Sequence, residues 1–127
     1  LGKIASGGEL SRIALAIAAC TSQLGVAGTL IFDEVDTGIG GAVAERVGRL
    51  LQQLAADRQV IAITHLPQVA SKGARHIVVR KVSTDNAVVS QIDYVDGEQR
   101  VREIARMIAG EQITNASLNH ASELLST

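Results

Sequence analysis

Two short apolar runs dominate this sequence: Thr29-Leu30-Ile31-Phe32, stopping at Asp33-Glu34, and Gln59 to Ile63, stopping at Thr64-His65. A run this short that is apolar without alternation suits a buried strand of a parallel sheet. Between the two, Gly38, Gly40 and Gly41 lead into a segment with Val43, Val47, Leu50, Leu51 and Leu54 on one helical side. Strand, helix, strand is a crossover unit, so the pattern predicts an α/β fold, a parallel sheet covered by helices. Both polar ends then emerge at the sheet's carboxyl edge, where such sheets present their ligands.

Around this unit the chain predicts further elements. Leu10, Ile13, Ala14, Ile17, Cys20 and Leu24 form a helical stripe over Ser6–Leu24, with Ser6 and Glu9 as a capping box and Gly25 as a stop. Pro67 fits the first turn of a short helix through Ala70. Ile77–Val82 and Ala87–Val95 are rich in β-branched residues and flank the turn-forming Ser83-Thr84-Asp85-Asn86, which predicts a hairpin at the sheet edge. Gly97–Met107 and Ala116–Leu125 read as closing helices. A length of 127 residues with 46% hydrophobic side chains suits one domain, with no internal repeat and no linker.

Charge and cysteine content narrow the function classes. Twelve Lys and Arg against 13 Asp and Glu give a net charge of −1, so any nucleic-acid contact must be a local patch. Lys72, Arg75, Arg80 and Lys81 are the candidates, with a solvated rim as the plainer reading. The single cysteine, Cys20, makes no internal disulfide and fits a reducing cytoplasm as a buried hydrophobe. His76 and His120 lack a cysteine or second histidine at ligand spacing, so no zinc site is expected. The longest apolar run, Ile13 to Cys20, is too short to span a membrane.

Three segments carry chemistry. Ser6-Gly7-Gly8-Glu9 precedes a helix, where free N–H groups and the helix dipole favour an anion, although an ordinary capped helix has the same signature. Asp33 at a strand end suits Mg²⁺ and Glu34 suits the activation of an attacking water, the division of labour in phosphoryl-transfer sites; two solvated acids are the bland alternative. His65 alone reads as a turn residue, but its strand end shares an edge with Asp33 and Glu34.

In order and spacing these segments resemble the C-terminal half of an ATP-binding-cassette ATPase head. Ser6 to Glu9 resembles the signature motif, Leu30 to Glu34 Walker B, Val35 to Gly38 the D-loop and His65 the switch histidine. Val35-Asp36 after the Glu resembles the chromosome-maintenance branch with long coiled coils. Within it, Lys3 to Arg12, Phe32 to Ile39, Thr64 to Ala70, Arg100 to Met107 and His120 to Leu125 resemble the RecN-type DNA repair ATPases; Gly40 departs from the serine expected there.

The resemblance implies a parallel-sheet C-terminal lobe of an ABC-type P-loop ATPase head, residues 1–127, with an edge hairpin and closing helices. No G-x-x-x-x-G-K-[ST] loop occurs, since Gly2-Lys3 lacks the upstream glycine and Lys72 precedes Gly73. The chain is therefore expected to be a piece of something longer, inactive alone and completed by an N-terminal Walker A lobe. By resemblance, Asp33 holds Mg²⁺ through water, Glu34 is the general base and His65 contacts the γ-phosphate of ATP. Ser6, Gly7, Gly8 and Glu9 bind nucleotide on a partner head, and Asp36 crosses the same homodimer interface. The implied partners are DNA and the RecA recombinase, in the cytoplasm at the nucleoid. The rival expectations are the head of another chromosome-maintenance or recombination ATPase and a catalytically silent interaction module.

Overall fold

A computed structural model of the chain describes residues 28–33 and 38–127. The helix expected over Ser6–Leu24 lies outside them. The chain divides into two compact units, one ending at Lys72 and one spanning Gly73–Thr127, where the sequence pattern suggests one continuous domain.

The first unit contains β1 (Thr29–Asp33), α1 (Gly41–Leu54), β2 (Gln59–Ile63) and the single-turn α2 (Pro67–Ala70). β1 and β2 pair in parallel from Thr29↔Gln59 to Asp33↔Ile63, as the crossover pattern requires. The ladder is extended where the Gln59 amide donates to the Gly28 carbonyl at 2.8 Å and Thr29 Oγ1 donates to Gln59 Oε1 at 2.9 Å. Gly38 and Gly41 have φ of 77° and 44°, backbone that side chains other than glycine's rarely allow, so the chain can turn sharply into α1.

Ala44, Val47, Leu51 and Val69 form the buried core, with Phe32, Val60 and Ala62 packed against it from the strands. This is one side of the pleat. Ile31, Ile61 and Ile63 stand on the other, at 67%, 43% and 52% exposure. The strands are thus covered on one face among the described residues, whereas unbroken apolar runs suggest burial on both.

The second unit contains β3 (His76–Ser83), β4 (Val88–Val95), α3 (Gly97–Ala109) and α4 (Asn115–Ser126). β3 and β4 are antiparallel, with His76↔Val95 and Ser83↔Val88 as the end pairs. Among the described residues the hairpin is a two-stranded sheet of its own. β-branched composition marks a strand but carries no information about its neighbour. His76, Val78 and Val95 are buried, and most of the remaining hairpin is exposed.

The closing helices start where their caps dictate. The Asp96 carboxylate accepts from the Gly97 amide at 2.8 Å. Thr114 and Ser117 form a reciprocal capping box, Ser117 N to Thr114 Oγ1 at 3.1 Å and Thr114 N to Ser117 Oγ at 2.8 Å. Ile104, Ala105 and Ala121 are completely buried on the helices' apolar sides. Burying an isoleucine side chain such as Ile104 is worth about 1.5–3 kcal/mol. Among the described residues no helix is long and apolar enough to cross a membrane.

Candidate functional site at the carboxyl edge of the parallel strands

The register of β1 and β2 decides what meets at the edge. Asp33 and Ile63 are Cα partners at the strands' carboxyl ends, and His65 follows two residues later. The His65 loop is stitched on its C-terminal side. Thr64 Oγ1 accepts from the Leu66 amide at 3.0 Å, and the Leu66 carbonyl accepts from the amides of Val69 and Ala70 at 3.1 and 3.0 Å. Leu66 is the extended N-cap of α2, and Pro67 fills the first helical position, where a missing N–H costs nothing. Asp33 and His65 are both exposed.

Of the residues singled out from sequence, Asp33 thus lies at the paired carboxyl ends of the two strands and His65 just beyond them. Ser6, Gly7, Gly8, Glu9, Glu34 and Asp36 lie outside the described residues. Among the described residues no three His, Cys, Asp or Glu converge as a metal cage. A lone carboxylate oxygen fits Mg²⁺ bound with a nucleotide, because that ion keeps several waters and takes one or two carboxylates plus phosphate oxygens. An imidazole N–H at the same edge is a suitable donor to a phosphate oxygen.

The four basic candidates do not form one patch. Lys72 is 5% exposed, and its carbonyl accepts from Gln52 Nε2 at 3.2 Å. Arg75 is exposed in the turn before β3. Arg80 and Lys81 are adjacent on a strand, so they point to opposite faces of the hairpin. Arg80 instead lines an open groove of about 480 Å³ with Tyr94, Gln99, Arg102 and Arg106. Helix periodicity places Arg102 and Arg106 on one side of α3; their meeting with Arg80 depends on how that helix packs on the hairpin.

The edge and the motifs can be set beside known proteins. No family model matches the chain. It is 49% identical over 125 residues to the DNA repair protein RecN of Xylella fastidiosa strain 9a5c, covering 98% of this chain and 22% of that protein. It is 47% identical over 125 residues to RecN of Vibrio cholerae, covering 98% and 23%. With RecN of Streptomyces coelicolor the identity is 43% over 127 residues, covering 100% and 22%. The chain thus spans about a fifth of the length of these relatives. A solved structure from work on ATP-driven dimerization and DNA-stimulated activation of SMC ATPases superposes with a TM-score of 0.61 at 21% identity. That match covers 84% of this chain and 62% of the other, and it establishes the fold. The chain is similar to the RecN proteins over about a fifth of their length, and over 84% of its own residues it shares the fold of that solved chain.

Proposed function

We propose that residues 1–127 form the C-terminal lobe of the ATP-hydrolysing head of a RecN-like protein acting in recombinational repair of DNA double-strand breaks. The observation that carries this reading is the Asp33↔Ile63 register, which puts a carboxylate and the His65 loop at one ligand-facing edge.

In this reading Asp33 would hold Mg²⁺ through water, and the ion would supply neutralisation of the phosphate charge. Glu34 takes the proton of the attacking water, and His65 donates to the γ-phosphate. Ser6, Gly7, Gly8 and Glu9 bind the nucleotide of a second head in trans, with Asp36 in the same interface. ATP then joins two heads and hydrolysis releases them. The phosphate-cradling loop comes from an N-terminal lobe, so the lobe alone is inactive. DNA and the RecA recombinase are the proposed partners of the complete protein, at the nucleoid in the cytoplasm.

Glu34→Gln in the complete protein tests this. ATP binding is expected to persist while steady-state hydrolysis falls at least a hundredfold, the scale of general-base catalysis. Hydrolysis at the wild-type rate would remove Glu34 as the base.

A further inference from the structure

The loops at the carboxyl edge run into two helices, residues 38–40 into α1 and residues 64–66 into α2, and these helices meet at Gly48. A methyl group on Gly48 would stand 2.9 Å from the Gln68 carbonyl oxygen, 2.9 Å from Lys72 Cγ and 3.3 Å from Val69 Cα. Lys72 Cγ lies near the root of a side chain that is only 5% exposed, so it has little room to give way. The Gln68 oxygen is backbone, so it moves only if α2 moves. Glycine inside a helix weakens it relative to alanine, and close approach of α2 is the structural reason for glycine here. One turn further along α1, Gln52 Nε2 donates to the Lys72 carbonyl at 3.2 Å and ties down the far end of α2.

Little slack separates this crossing from His65. Gln68 lies three residues beyond it, and the intervening backbone is held by the Leu66 and Thr64 hydrogen bonds at 3.0–3.1 Å. A displacement of α2 away from α1 is passed along that segment to the histidine.

We propose that Gly48 is a positioning residue: the close α1–α2 crossing that its missing side chain permits sets the place of His65 relative to Asp33 at the carboxyl edge. The inference rests on the reading of that edge as an ATP-hydrolysing site. Displacements of an ångström or less at a reacting centre are enough to cost large rate factors.

The test is Gly48→Ala in the complete protein, with Gln52→Ala as a second variant that loosens the same crossing without adding volume. For Gly48→Ala, kcat for ATP is expected to fall about tenfold, while affinity for ADP, which has no γ-phosphate for His65 to meet, stays within about twofold. Gln52→Ala is expected to lower kcat about twofold to threefold with ADP affinity unchanged. If Gly48→Ala does not fold, Gln52→Ala decides alone. Wild-type kcat in a folded Gly48→Ala, or in Gln52→Ala, overturns the proposal, as does a parallel loss of kcat and ADP affinity. His65→Ala separates the two levels: if it hydrolyses ATP at the wild-type rate, the reading of the edge fails. If it is slow while Gly48→Ala is normal, only the positioning role fails.

Discussion

Arg106 closes over the carboxylate of Glu103, three residues earlier on α3, with Nη2 2.6 Å from Oε1 and Nε 3.0 Å from Oε2. The two side chains differ sharply in exposure, 52% for Arg106 and 6% for Glu103, so the arginine forms the lid on a buried anion. Removing the lid leaves that anion without its guanidinium partner. Arg106→Ala is expected to lower stability by about 1–3 kcal/mol, towards the lower figure because water screens the exposed side of the pair. Arg106→Lys is expected to recover only part of this, since an ammonium does not make the paired contact. Urea denaturation of both variants measures it, and a loss below about 0.5 kcal/mol for the alanine variant would count against the role given to the pair.

His76 offers a pH dependence with a definite sign. Burial pushes its imidazole below the ordinary value, the Arg100 cation pushes it further, and the Glu103 anion opposes them. Its Nδ1 is buried without a hydrogen-bond partner. The unfolded chain therefore binds this proton more readily than the folded one. Its contribution to stability is complete above about pH 6.5 and is lost as pH falls through the unfolded value towards the folded one. Chemical unfolding followed between about pH 7.5 and 5 is expected to show a decline that His76→Gln flattens. An unchanged slope in the variant would assign the decline to other groups.

Thr114 caps α4 from outside the helix, and Ser117 returns the bond. Thr114→Ala is expected to cost about 1 kcal/mol and Thr114→Ser much less, because serine keeps the accepting oxygen. Thermal unfolding of the pair distinguishes a cap from a packing effect: equal losses would point to the threonine methyl group.

The two faces of the hairpin separate Arg80 from Lys81, and only Arg80 lines the groove shared with Arg102. On the proposed DNA-binding reading, Arg80→Glu in the complete protein should weaken DNA affinity and flatten its salt dependence, while Lys81→Glu changes both less. Equal weakening by the two substitutions would rule out the groove as the contact.

Local pattern was legible in the chain because it reports on a single element at a time. The apolar runs at 29–32 and 59–63 became paired parallel strands, Val47 and Leu51 became core, and Pro67 opened α2, all from spacing and composition. The closing helices were readable in position, but most of their limits were not. The first begins at Gly97 as the sequence indicates; the other limits moved, to Ala109, Asn115 and Ser126, because a helix end is set by capping and hydrogen bonding outside the periodic stretch.

What the sequence by itself determined is the order of elements and the carboxyl edge at which Asp33 and His65 emerge. Tertiary structure alone decided that Arg80 joins Arg102 rather than Lys81, and that Lys72 lies buried beside Gly48. The physical reason is distance along the chain. A side chain's periodicity tells which way it points from its own element, but whether another element stands there, and how closely, depends on packing between residues far apart in sequence.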